Sequence, residues 1–162
     1  MDSHPLTVRR ATLADVNDLA LLNSVVQDLH VAARPDVFRK AEHAEVVEMF
    51  RSGIDRPHQA GWLAEQDGAA VGYVLTTLHD RAANVLHKPQ RILEVVQIGV
   101  VPSHQRRGIG RALLNRVLEH AVASGVDEVV LSSWAFNESA HEAFRRWGFA
   151  PRVIEFSLLQ RQ

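Results

Sequence analysis

The chain has 162 residues, a length suited to one domain with a sizeable core. Hydrophobic residues make up 46% and charged residues 23%, and 18 basic against 19 acidic residues leave a net charge of −1, so nothing draws the whole molecule towards nucleic acid. The absence of cysteine excludes disulfides, thiolate metal sites and cysteine nucleophiles.

Nine histidines invite a search for metal spacing, but no His-Glu-x-x-His occurs, and His141-Glu142 is followed by Arg145 where a second ligand would stand. No metal is therefore expected. The N-terminus lacks a basic-then-apolar signal, and no run approaches the ~20 apolar residues of a membrane span. A soluble, cytoplasmic protein with no membrane or nucleic-acid partner is the expectation.

In chain order, residues 6–11 form a short strand candidate, and Thr12 with Asp15 three positions on gives a capping-box start to a helix carried by Leu13, Val16, Leu19, Ala20 and Leu22. Residues 24–53 form a second helical region broken near Arg34-Pro35, with Gly53 as its stop. Asp28, His30, Arg34, Asp36 and Arg39 stud the interruption. Asp67-Gly68 between apolar runs at 62–65 and 69–78 signals an antiparallel hairpin. Residues 79–91 make a polar connection, either a mobile rim or a surface excursion. The run at 92–101 is apolar enough for a central strand covered on both faces; Glu94 is its one carboxylate, and Gly99 marks a bulge or a close backbone approach.

The stretch from Val100 to Arg111 joins that strand to a helix. Pro102 cannot donate to a ladder and ends the strand, and polar and basic residues lead to glycines at 108 and 110. The first N–H groups of a helix lack internal partners and lie at the positive end of its dipole, so with Arg106, Arg107 and Arg111 alongside the junction suits a phosphate. The Rossmann fingerprint is incomplete, because Leu113 occupies its third glycine position, and no Walker Lys-Ser or Lys-Thr follows. The helix beyond carries Leu113, Leu114, Val117, Leu118, Ala121 and Val122 on one face and stops near Ser124-Gly125. A strand at 129–131 extends through Trp134, a helix begins at Asn137 with Ala140, Ala143, Phe144 and Trp147 on its core face, Gly148 stops it, and 153–159 is a last strand.

Gln105-Arg106-Arg107-Gly108-Ile109-Gly110, preceded by Val-x-Pro, resembles the Gln/Arg-x-x-Gly-x-Gly/Ala motif of the GNAT superfamily of acyl-CoA-dependent N-acetyltransferases. Asn137-x-x-Ala140-x-x-x-Phe144-x-x-x-Gly148-Phe149 resembles its Asn-x-x-Ala-x-x-x-Tyr-x-x-x-Gly-Phe stretch, and Val-Arg-Arg-Ala-Thr-x-x-Asp at 8–15 is similar to its opening strand and helix. The likeness covers nearly the whole chain. It implies an α/β (α+β) fold in a single domain over 1–162, with a mixed, mostly antiparallel sheet of about six or seven strands flanked by about four helices. It also implies acetyl-CoA as co-substrate and direct transfer of acetyl to a primary amine, of a small molecule or of a protein or peptide.

By the same resemblance, Gln105, Arg106, Arg107, Gly108, Ile109, Gly110 and Arg111 hold the pyrophosphate, chiefly through backbone N–H groups. Ile98 and Val100 lie on a bulged strand that pairs with the pantetheine arm, and the Val100 amide polarises the thioester carbonyl. Glu94 is the candidate base, directly or through water, and Gln97 orients that water or satisfies nearby backbone. Asn137 contacts the pantetheine arm or caps its helix, and the region at 24–53 borders the acceptor pocket. Phe144 stands where the family's tyrosine often protonates the departing sulfur. A thiol of pKa about 8.5 leaves tolerably without that acid, whereas an alkyl ammonium of pKa about 10.4 must first lose a proton. Tyr73, the only tyrosine, reads as packing. A non-catalytic acyl-CoA-binding module is the competing reading, and an exposed last strand would allow a homodimer.

Overall fold

One arginine ties the first strand to the first helix and to the second strand. In β1 (Thr7–Arg10), Arg9 forks onto Asp15 through Nη1 and Nη2 (3.0 and 2.7 Å) and onto Glu65 through Nε and Nη2 (3.1 and 2.7 Å). Asp15 also accepts from the Thr12 backbone N–H at 2.8 Å, closing the expected capping box. After a short 3₁₀ turn, α1 (Val16–Ala33) buries Val16, Leu19, Ala20, Leu22 and Asn23. The division expected after Leu22 is absent: no breaker stands there, and one helix runs on until Pro35 prevents its continuation. A connection then leads to α2 (His43–Gly53), whose Glu45 carboxylate accepts from the Glu42 N–H at 3.0 Å and whose Val47 and Phe50 join the core over α1.

The computed structural model describes residues 5–158. β2 (Gln59–Gln66) and β3 (Ala69–Arg81) form the expected hairpin. Asp67 and Gly68 both take positive φ, 53° and 76°, as a two-residue type I′ turn requires. β3 continues to Arg81 and β4 (Gln90–Val100) begins at Gln90, so the connection expected at 79–91 shrinks to 82–89. There Asn84 Oδ1 accepts from the N–H groups of Leu86 and His87 (2.8 and 2.9 Å).

β3 and β4 pair antiparallel with one irregularity: Leu75 faces Gln97 but Thr76 faces Val95, which leaves Val96 as the extra residue of a bulge. The bulge therefore lies at Val96. Gly99 serves close approach, since a Cβ there would sit 2.8 Å from Val26 Cγ2 and 3.0 Å from Tyr73 Cε1.

A 3₁₀ turn at Pro102–His104 leads to α3 (Ile109–Ala123), which buries Ile109, Leu113, Leu114, Val117 and Ala121, each of the larger ones worth about 1.5–3 kcal/mol. Val122, expected on that face, points to solvent. The helix ends in a Schellman motif: Val126 N–H bonds Ala121 O at 3.0 Å, and Gly125 takes φ 61°. β5 (Glu128–Leu131) pairs parallel to β4 and stops at Leu131, short of the expected Trp134. Among the described residues the sheet thus has five strands, order β1-β2-β3-β4-β5, fewer than the six or seven expected, with three antiparallel junctions and one parallel.

Contacts divide the chain into one unit running to Ser132 and a second beginning at Ser133. In the second, α4 (Glu138–Arg146) is capped by Asn137, whose Oδ1 accepts from Ala140 N–H at 3.3 Å. It too closes with a Schellman motif: Phe149 N–H bonds Phe144 O at 3.0 Å, and Gly148 takes φ 95°. Residues 151–158 are in neither helix nor strand, so the last strand expected at 153–159 is not formed over its described part; Leu159 lies outside the described residues. Among the described residues, no helix is long and apolar enough to cross a membrane.

Candidate functional site

The mouth of α3 has the shape its sequence requires. Gly108 is the N-cap residue at φ 83°, Arg106 also takes positive φ (63°), and the first helical bond runs from Ala112 N–H to Gly108 O at 2.9 Å. The N–H groups of Ile109, Gly110 and Arg111 therefore precede any carbonyl the helix offers them. A Cβ on Gly108 would meet nothing within 4 Å, so no neighbour crowds the N-cap position itself. A non-glycine residue in the left-handed region costs about 1–2 kcal/mol, so Arg106 holds its conformation against local preference. Ile109 differs in kind from its neighbours. Its side chain is core, 2% exposed, and only its backbone faces the mouth.

Gln105 fastens this loop to the strand behind it, its Nε2 donating to Val100 O at 3.0 Å. Val101 N–H donates to Val71 O at 2.9 Å, so antiparallel alternation turns the backbone groups of Val100 and Ile98 away from β3, towards the side where β5 lies. The β4–β5 ladder ends at Val95 and Leu131, and β5 does not reach Ile98 or Val100. In the first unit, the edge of β4 beyond Val95 thus runs uncovered by strand to the loop that opens α3.

The bulge also gathers side chains. Glu94 and Gln97 are three residues apart and would lie on opposite faces of a regular strand, but Val96 resets the alternation and puts both on the face towards α1. There Glu94 Oε2 is 2.8 Å from His79 Nε2, with both side chains more than a third exposed. Gln97 Oε1 accepts from Tyr73 Oη at 3.0 Å and from Asn23 Nδ2 at 3.1 Å, and Asn23 Nδ2 also donates to Tyr73 Oη at 3.2 Å. Tyr73 is fully buried, and desolvation pushes its hydroxyl up to about 12.

His79 and Asn23 were not singled out from sequence. The alternation Tyr73, Leu75, Thr77, His79 down one face of β3 was the available signal for the first; nothing local marked the second. His104, in the loop, pairs with Ser103 Oγ through Nδ1 at 2.9 Å.

Asn137 and Phe144 belong to the second unit. Asn137 acts there as a helix cap, and Phe144 packs its ring on Trp147 and Phe149 (centroids 5.8 and 6.2 Å), the apolar contact that accompanies the Schellman closure. Phe144 is half-buried, although periodicity alone placed it in a core. Two surface grooves, one on the outer face of α3 (Asn115, Leu118, Glu119, Val122) and one bordered by Arg10, Trp62 and His120, contain none of the candidate residues.

Comparison with known proteins follows the same lines. The model of the Acetyltransferase (GNAT) family matches residues 24–149. A mycothiol acetyltransferase of Frankia casuarinae is 37% identical over 126 residues, covering 72% of this chain and 37% of that protein. This chain spans between about a third and a half of the length of the curated relatives it matches. Among solved structures, a tetramutant of the BH1408 protein from Bacillus halodurans superposes with a TM-score of 0.91 at 21% identity, covering 95% of this chain and 99% of that one. The aminoglycoside N-acetyltransferase AAC(6′)-Iy in complex with CoA gives 0.79 at 17% identity, covering 100% and 98%. At these identities the two structures speak for the fold.

Proposed function

The chain belongs to the acetyltransferase (GNAT) family, and from that premise we propose that it acts, as one domain, to transfer acetyl from acetyl-CoA to the primary amine of a small molecule. The observation that carries the proposal is the departure of β5 from β4 after Val95. It leaves the backbone groups of Ile98 and the N–H of Val100 on an edge that leads to the donor-rich mouth of α3, the Val100 carbonyl being held by Gln105. A carrier with an amide-bearing arm and a diphosphate has both of its needs met along that line. The uncrowded N-cap at Gly108 lets a diphosphate approach, with Arg106, Arg107 and Arg111 adding charge beside the backbone donors of Gly108, Ile109 and Gly110.

Transfer then needs two things of the protein. Glu94 takes a proton from the ammonium of the acceptor, directly or through water, so that the nitrogen has a lone pair for the thioester carbon. The Val100 N–H donates to the carbonyl oxygen as negative charge grows on it. The nitrogen–carbon bond forms, the carbon–sulfur bond breaks and the thiolate leaves with the electron pair; the attacking nitrogen releases its second proton to water, and water returns one to the thiolate, since Phe144 has no proton to give. The mycothiol acetyltransferase relative favours a small-molecule acceptor over a protein amine.

Phe144 favours one rival, a module that binds acyl-CoA without turnover. Two measurements decide. Acetyl-CoA raises the melting temperature while ATP and NAD at equal concentration do not, and free thiol appears only when an amine from a broad panel is added. Stabilisation without amine-dependent thiol establishes the binding module; no selective stabilisation overturns both readings.

A further inference from the structure

At the level of Glu94 a row of polar side chains crosses the sheet. Gln59 of β2 faces Thr77 of β3, and Thr77 faces Glu94 of β4. Residues paired in this way point to one side of a sheet, so the three side chains stand in line, about 4.8 Å apart per strand. His79, two residues beyond Thr77, shares that side and reaches Glu94 at 2.8 Å. It is the side on which α2 lies, since a Cβ on Gly53, the last residue of α2, would sit 3.2 Å from Gln59 Oε1.

Thr77 and Gln59 are half-buried, and among the described residues neither side chain makes a hydrogen bond, although the polar atoms of both reach solvent. Two positions back along β3 the same face carries Leu75, packed against the core of α1 and α2. The face therefore turns from apolar to polar where it comes level with Glu94. A hydroxyl and a primary amide, each able to donate and to accept, are held open beside the candidate base.

We infer that Thr77 and Gln59 bind the acceptor, and that the acceptor is a primary amine whose carbon chain carries hydroxyl groups, an amino polyol. The inference rests on the acetyl transfer proposed above. With the nitrogen at Glu94, a hydroxyl about one strand spacing away meets Thr77 Oγ1, and another about two spacings away meets the Gln59 amide. The row selects among amines. A second ammonium would call for a second carboxylate, and Glu94, already met by His79, is the only one in the row. An anionic group would call for a fixed cation, which the row lacks. A plain alkyl amine would desolvate two polar side chains without offering them partners. A peptide pairs along a strand edge, whereas this row crosses the faces of three strands.

The test compares glucamine with hexylamine, amines of equal carbon number, and with triglycine, in thiol release from acetyl-CoA by the full chain. Wild type is expected to favour glucamine over hexylamine in kcat/KM by at least about a hundredfold, because a site built around hydroxyl groups rejects an analogue lacking them. Thr77→Val and Gln59→Leu are each expected to cut that ratio about tenfold, chiefly through the KM for glucamine. Thr77→Ser, which keeps the hydroxyl, restores it. Neither side chain holds a hydrogen-bond partner in the fold, so melting curves like that of wild type accompany these changes. A ratio that both variants leave intact, or a wild-type preference for hexylamine or triglycine, overturns this inference and leaves acetyl transfer standing. No thiol release with any amine of a broad panel overturns acetyl transfer and this inference with it.

Discussion

His79 Nε2 and Glu94 Oε2 lie 2.8 Å apart across β3 and β4. In the Nε2–H tautomer the ring donates to one carboxylate oxygen, fixing the rotamer of Glu94 and leaving the other oxygen to meet an amine or a water. The pair is open to solvent, so its net contribution to folding is small, about 1 kcal/mol or less.

Replacement of His79 therefore tests chemistry more than fold. His79→Leu is expected to lower kcat about tenfold with the KM for acetyl-CoA unchanged, and His79→Gln, which keeps a donor, to recover most of it. Glu94→Gln is expected to lose about 10²–10⁴ in kcat. Full activity in His79→Leu beside an inactive Glu94→Gln would leave Glu94 as the base and remove His79 from the mechanism; full activity in Glu94→Gln would remove both.

The helix mouth gives a second prediction with a built-in control. Gly108 and Gly125 both have positive φ, 83° and 61°, and open space where a Cβ would stand, so valine at either position imposes a similar backbone strain of about 1–2 kcal/mol. Only Gly108 caps the N-terminus of α3. Gly108→Val is expected to abolish the rise in melting temperature that acetyl-CoA produces, while Gly125→Val, at the far end of the helix, keeps it. Equal ligand-induced shifts in the two variants would show that the mouth does not hold the carrier.

Tyr73 is the only tyrosine and so the only phenol available to replace an acid at Phe144. Its hydroxyl is buried, pushed up to about 12, and engaged with Gln97 and Asn23, which assigns it to holding α1 against the bulge of β4. Tyr73→Phe is expected to destabilise the protein by about 1–2 kcal/mol in urea unfolding, because it leaves buried polar partners unmatched. The pH profile of turnover should keep its shape; a lost basic limb would identify Tyr73 as a working acid.

Local chemistry was legible in the sequence wherever one residue type decides a conformation. Asp67-Gly68 announced its turn, Thr12 and Asp15 their cap, Gly125 and Gly148 their helix ends, and the glycine pair at 108 and 110 the helix mouth. What depends on register was not legible. Only the offset of β4 against β3 shows that Val96 bulges, and hence that Glu94 and Gln97 share a face with His79 and Asn23. The segment at 153–158 differs for a related reason: it has the alternation of a strand, but alternation alone does not supply the neighbouring strand a ladder needs, and among the described residues it joins none.

Arg9 and Asp15 supply a prediction in acid. Arg9 first, then the Thr12 amide and hydroxyl, hold the nearly buried Asp15 carboxyl at about 2, down from 3.8. A carboxylate depressed on folding stabilises the protein fully above its unfolded pKa, and that contribution fades as the pH falls through the folded value. The shift corresponds to about 2 kcal/mol, somewhat less because Arg9 is partly open to solvent. Asp15→Asn is therefore expected to unfold about 2 kcal/mol more easily than wild type near neutrality, with the gap closing between about pH 4 and pH 2. Urea titrations of both proteins across that range measure it. A gap that stays constant would mean that the carboxylate's charge is not what Arg9 holds in place.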